Sequence, residues 1–204
     1  NAVSIGSGSG AKKQNMSTHD HRRLEGSPVQ RCLVIGGSHS GVGKTTVALG
    51  LMAAFQKRGL IIGGFKVGPD FIDPGHHSRI LGTPSRNLDG WMLPKAYNRT
   101  TFAKGMQGKD LGIVEGVMGL FDGYDGLTEA GSTAEMAKWL GAPVILVVDA
   151  RSMARSIAAL VHGFATFDPD LRLVAVIANR VGSPTHLRYL AEALSSVPEV
   201  TFLG

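Results

Sequence analysis

The chain has 204 residues, 43% hydrophobic and 18% charged, which suits one soluble α/β domain with a buried core. No apolar run approaches the roughly 18 residues that a membrane span needs, and no apolar signal core opens the chain, so a cytoplasmic protein is expected. The net charge of +5 suits an anionic ligand, but no stripe of Lys and Arg interleaved with aromatics points to nucleic acid.

Residues 1–30 read as a disordered basic tail or linker. Gly6-Ser7-Gly8-Ser9-Gly10 is linker-like, and Lys12, Lys13, Arg22 and Arg23 outnumber Asp20 and Glu25. Met16 is a candidate native start. His19 and His21 read as tail residues and not as metal ligands. The folded part, 31–204, then alternates strand and helix. A first strand over 31–35 carries the single cysteine, Cys32, expected as a buried thiol.

The segment that follows is Gly36-Gly37-Ser38-His39-Ser40-Gly41-Val42-Gly43-Lys44-Thr45-Thr46. Strand, glycine-rich loop, Gly-Lys-Thr and helix form the layout of a phosphate-binding loop. Backbone N–H groups of Ser40, Gly41, Val42, Gly43, Lys44, Thr45 and Thr46 would cradle a polyphosphate. Lys44 would reach the terminal phosphates and the Thr45 hydroxyl would ligate Mg²⁺. Ser38 stands where the standard spacing wants the first glycine, so the loop is one residue longer than usual.

A helix over 44–58 ends at Gly59, and a second strand covers 60–66. An irregular stretch rich in Gly, Pro, Asp and His is expected over 67–97. A strand over 111–114, a glycine-rich loop over 116–131 and a helix over 133–140 follow. A fully apolar strand over 144–148, a helix over 152–164, a strand over 173–178, a helix over 185–194 and a last strand over 200–203 complete the series. This alternation predicts a parallel sheet with helices on both faces and a ligand at the C-terminal strand ends. A chain that stops on a strand suggests a fragment of something longer.

Three acids fall on that rim: Asp70 after the second strand, Glu115 after the third, and Asp122 in the loop beyond. Mg²⁺ takes one or two carboxylates plus phosphate oxygens, which Asp70 and Glu115 would supply. Asp73, before Pro74, reads equally as turn chemistry. Asn179, at a strand end, is a candidate contact to a purine edge or a turn residue. Asp149 reads as a helix cap. His76 and His77 are sequence neighbours with no Cys nearby, so no zinc site is expected.

Several blocks taken together resemble one family. They are the extended loop over 37–46, Lys66-Val67-Gly68-Pro69-Asp70-Phe71-Ile72-Asp73-Pro74-Gly75-His76-His77, Pro84-Ser85-Arg86-Asn87-Leu88-Asp89, Glu115-Gly116-Val117-Met118-Gly119-Leu120-Phe121-Asp122-Gly123, Gly131-Ser132-Thr133-Ala134-Glu135 and Val148-Asp149-Ala150-Arg151. In this order they closely resemble cobyrinic acid a,c-diamide synthase, with a phosphate loop of the dethiobiotin synthetase type. The resemblance implies a P-loop NTPase-type fold. It implies an ATP- and Mg²⁺-dependent amidoligase of cobalamin biosynthesis, acting on the a and c acetate carboxylates of cobyrinate or hydrogenobyrinate through an acyl phosphate. Ammonia would come from a glutamine amidotransferase domain or subunit, which Cys32 is misplaced to represent. It also implies active-site roles for Lys44, Asp70, Glu115 and Asp122, with Thr45, Asp70 and Glu115 on the metal. Lys66 would clamp the substrate carboxylate, Phe71 and Ile72 would touch the macrocycle, and the loops over 67–97 and 116–131 would close over the site. Alternatives are amidation of another tetrapyrrole such as nickel-sirohydrochlorin, and a ParA/MinD-like regulatory ATPase. The second is disfavoured by His39, which stands at that group's signature lysine. A homodimer is compatible with either.

Overall fold

The computed structural model describes residues 31–204, so the tail expected over 1–30 lies outside the described residues. Seven strands form one parallel sheet in the order β3-β2-β4-β1-β5-β6-β7. They are β1 (Cys32–Gly37), β2 (Ile62–Val67), β3 (Arg86–Leu88), β4 (Leu111–Glu115), β5 (Val144–Asp149), β6 (Leu173–Asn179) and β7 (Thr201–Phe202). Between them run α1 (Lys44–Lys57), α2 (Asp73–Leu81), α3 (Lys95–Gly105), α4 (Thr133–Leu140), α5 (Ser156–Thr166) and α6 (Pro184–Leu194).

Period-2 alternation sends neighbouring residues of each central strand to opposite faces. Val34, Val114, Leu146 and Val148 pack with Phe102, Met136, Ile157, Val161 and Leu190 on one side. Ile35, Ile113, Ile145 and Val147 pack with Ala48, Met52 and Leu81 on the other. Both faces are thus covered, which is why β5 reads as one unbroken apolar run.

Three elements depart from the sequence expectation. The stretch over 67–97 contains helix α2 and strand β3, and α3 follows where no helix was expected. Helix α2 opens on Asp73-Pro74-Gly75; proline in the first turn loses only an N–H that has no partner there anyway. Strand β3 has three residues at the sheet edge, too short to show alternation.

The topology fixes the site. From β1 the chain fills one side of the sheet with β2, β3 and β4, then crosses to the other with β5, β6 and β7. The C-terminal end of β1 is therefore the switch point, where open α/β sheets hold ligands. Register places Glu115 beside Ile35 of β1 and beside Lys66 of β2. The ends of the three strands thereby bring the loop after β1, Lys66 and Glu115 onto one rim.

Candidate active site

The loop between β1 and α1 has the backbone that its glycines allow. Gly41 and Gly43 sit at φ 78° and 101°, in the left-handed region that side chains disfavour. Helix α1 starts at Lys44 with no side-chain cap, so its first N–H groups remain available to an anion. Lys44 is nearly buried, at 8% exposure. Its ammonium donates to the Met118 carbonyl at 2.5 Å, and Met118 takes a left-handed φ of 43°. Burial and the Lys66 charge pull the Lys44 pKa down, against the opposing pull of Glu115, Asp122 and Asp73.

The loop is braced from behind by the end of β6. Asn179 donates through Nδ2 to the Val42 carbonyl at 2.7 Å, and Arg180 donates to the Gly41 carbonyl at 2.9 Å. Arg180 also pairs with Asp149 at the end of β5. With these carbonyls held outward, the loop's N–H groups are free to face a ligand.

The second half of the site converges on one buried cation. Lys66, 4% exposed, lies 2.8 Å from Asp73, 3.3 Å from Glu115 and 3.9 Å from Asp70, and donates to the Gly116 carbonyl at 2.9 Å. A buried ammonium is tolerable only with such partners. Glu115 is fully buried. Its Oε1 accepts from Thr45 Oγ1 at 2.5 Å and from Lys66, while its Oε2 accepts from His77 Nε2 at 2.7 Å. Burial alone would raise the Glu115 carboxyl. The His77 hydrogen bond, the Lys66 charge and the Thr45 hydroxyl outweigh it and hold the group below its ordinary value.

The family model described as the CobQ/CobB/MinD/ParA nucleotide binding domain matches residues 33–204. The chain belongs to that family. Among the CobQ/CobB/MinD/ParA domain's curated relatives, the cobyrinate a,c-diamide synthase of Syntrophotalea carbinolica is 57% identical over 171 residues, 83% of this chain and 37% of that protein. The hydrogenobyrinate a,c-diamide synthase of Streptomyces coelicolor is 53% identical over 172 residues, 84% of this chain and 35% of that protein. The chain thus spans a little over a third of the length of these relatives. In fold it is similar to FtsY from Mycoplasma mycoides (TM-score 0.58, 14% identity, 85% of this chain and 58% of that one). It is also similar to the hydrogenase maturation factor HypB from Archaeoglobus fulgidus (TM-score 0.52, 14% identity, 85% of this chain and 80% of that one). Together with the parallel sheet, these confirm the P-loop NTPase-type fold.

In this CobQ/CobB/MinD/ParA domain the expected site residues divide into two sets. Thr45, Lys66 and Glu115 form one connected cluster with Asp70 at its edge, while Lys44 senses the Lys66 and Glu115 charges and bonds instead to the His39 and Met118 carbonyls. Asp70 turns its Oδ1 to the amides of Ile72 and Asp73, so much of its capacity goes to starting α2. Asp122 acts on Lys44 through its charge and makes no hydrogen bond to that cluster: its Oδ2 accepts from the Gly119 N–H at 2.8 Å. It lines a cavity of about 400 Å³ with Ser38, Leu120, Phe121, Phe164 and Phe167. Asn179 faces the loop's own backbone, its Oδ1 accepting from the Arg180 N–H. Ser40 in the loop and Thr46 in the first turn of α1 are exposed. Asp149 pairs with Arg151 and Arg180 instead of capping α5. His77 was not among the expected site residues, and Asp73 was an even choice between a site acid and turn chemistry. They lie four residues apart on α2, one helical turn, and that spacing is their sequence signal once 73–81 is read as helix. Phe71 and Ile72 stand 89% and 73% exposed beside this cluster.

Proposed function

We propose that this chain is the ATP-dependent synthetase portion of a cobyrinate or hydrogenobyrinate a,c-diamide synthase. The observation that carries the reading is that the phosphate loop, with Lys44 and Thr45, shares a rim with the buried Lys66–Asp73–Glu115 cluster. Relatives at 57% and 53% identity that bear those names support the choice of substrate.

A carboxylate is a poor acyl donor because its charge repels nucleophiles and its oxygen leaves badly. In the proposed reaction an acetate oxygen of the macrocycle attacks the γ-phosphorus of ATP, and ADP departs. Ammonia then attacks the carbonyl carbon of the acyl phosphate; the C–O bond to phosphate breaks, phosphate leaves and the nitrogen loses a proton. The amide, ADP and phosphate balance the carboxylate, ATP and ammonia.

The chain's part is positioning and charge neutralisation. The amides at the start of α1 hold the phosphates, and Lys44 moves from the Met118 carbonyl to the β- and γ-oxygens. Lys66 orients the reacting carboxylate against the charge of Asp73 and Glu115. Asp122 borders the reacting carboxylate, and Phe71 and Ile72 offer the macrocycle an apolar surface. Asn179, bonded to the loop through the Val42 carbonyl, borders the adenine.

The donor set suits Mg²⁺. The Thr45 hydroxyl and Glu115 carboxylate already touch, Asp70 is close by, and all are hard oxygen donors. Thr45, Glu115 and Asp70 would hold the ion, which when bound neutralises charge on the transferring phosphoryl group. Ammonia would be supplied by a glutamine amidotransferase domain or subunit beyond these 204 residues.

The test is to incubate the chain with Mg-ATP, ammonium chloride and cobyrinic acid and to follow product mass. The expected result is replacement of OH by NH₂ once or twice, only with ATP present. No mass shift in the presence of ammonia, with ATP bound, would overturn the substrate assignment for this chain.

A further inference from the structure

His77 is fully buried, and no step of the proposed reaction uses it. Both of its ring nitrogens are engaged. Nε2 lies 2.7 Å from Glu115 Oε2, and Nδ1 lies 3.1 Å from Ser85 Oγ. An ionised carboxylate oxygen only accepts, so Nε2 carries the proton in that contact. Ser85 is itself fixed, its amide donating to Ser78 Oγ at 2.9 Å, while the Ser78 hydroxyl donates to the Pro74 carbonyl at 2.7 Å.

The two oxygens of Glu115 are not equivalent. Thr45 and Lys66 both address Oε1, and His77 alone addresses Oε2 among the described residues. Removing the His77 donor would leave a buried carboxylate oxygen without a partner. The carboxylate could then rotate to share its donors between both oxygens. The approach of α2 is also built in. A side chain at Gly64 of β2 would come within 2.7 Å of Leu81 Cδ1 and 3.4 Å of His77 Cβ. Glycine there lets α2 lie close enough for His77 to reach Glu115.

We propose that His77 is a positioning residue for the nucleotide's metal centre, holding Glu115 through Oε2 so that Oε1 faces Thr45 and the cation. This rests on the reading that Thr45 and Glu115 hold Mg²⁺. Carboxylates on metals are commonly oriented in this way by a hydrogen-bonded neighbour, and losing that neighbour typically costs about 10- to 100-fold in metal affinity.

The experiment measures Mn²⁺ binding to the full 204-residue chain by electron paramagnetic resonance, in the presence of a non-hydrolysable imido analogue of ATP. Metal-free affinity for the same analogue is measured in chelator, and thermal unfolding is followed alongside. His77→Phe and the milder His77→Asn, whose amide is too short to reach, should weaken Mn²⁺ binding about 10-fold or more. Metal-free nucleotide affinity should stay within about twofold. His77→Gln, which keeps a donor near the Nε2 position, should restore most of the Mn²⁺ affinity. A purely structural histidine would lower the unfolding temperature in folded His77→Asn without changing Mn²⁺ affinity, and that result would overturn the proposal. Glu115→Gln separates the two readings. If it weakens Mn²⁺ binding and His77→Asn does not, only the positioning role falls; if it leaves Mn²⁺ binding unchanged, the metal assignment falls with it.

Discussion

The Thr45 hydroxyl donates to Glu115 Oε1 at 2.5 Å, although 70 residues separate the two in the chain. The contact joins the first turn of α1 to the end of β4, and it is the point proposed above for the cation of a bound nucleotide. Thr45→Val keeps the branched shape and removes the oxygen. Magnesium-dependent ATP binding should weaken about 10- to 100-fold, with metal-free binding little changed. Calorimetric titration with and without Mg²⁺ checks this.

Lys44→Ala removes the charge proposed to reach the phosphates. Amidation should fall at least about a hundredfold, the scale seen when one fixed transition-state donor is lost. Product mass against time measures it, and unchanged turnover would exclude Lys44 from the phosphate site.

Gly43→Ala places a methyl group in conflict with Asn179 Nδ2 and forces a side chain to φ 101°. The expected destabilisation is about 1–3 kcal/mol. Urea unfolding checks the stability. Binding of the imido analogue should weaken in parallel, because the strained atoms belong to the loop.

Lys138, near the end of α4, lies 2.6 Å from Asp168 and 2.5 Å from Glu129. The Lys138 hydrogen bond, opposed by partial burial, holds the Asp168 carboxyl below its ordinary value of 3.8. A depressed carboxyl pKa adds stability above 3.8 that disappears as pH falls through the folded value. Lys138→Met should lower stability by about 1 kcal/mol or less at pH 7, and the two proteins should converge toward pH 2. Urea midpoints over that range give the comparison.

Cys32 in β1 is buried, and burial pushes its thiol up to about 11. At pH 8 the native chain should react with a disulfide reagent only on the timescale of unfolding, and at once in denaturant. Fast native labelling would show β1 to be far more open than its neighbours β4 and β5 allow.

The phosphate loop was legible because its chemistry is local: glycines, lysine and threonine act within one turn. Glu115 was legible because an acid ending an apolar strand is conspicuous. Helix α2 was not, since Asp73-Pro74-Gly75 carries the residues of a turn as well as those of a helix start. Without that helix, Asp73 reads equally as turn chemistry and His77 as one of two neighbouring histidines that suit no zinc site. Asn179 shows a different limit. Its partner, the Val42 carbonyl, is 137 residues away, and no local spacing reveals a contact of that kind.

That same brace orders events in time. The glycines of the phosphate loop are made near the start of the described chain, yet two of the loop's carbonyls are held by Asn179 and Arg180, beyond four later strands and five helices. Until β6 has docked against β5, the loop possesses its residues without its restraints. Nucleotide affinity therefore serves as a clock for the sheet: a refolding chain should acquire helical signal first and tight ATP binding only once β6 has joined β5.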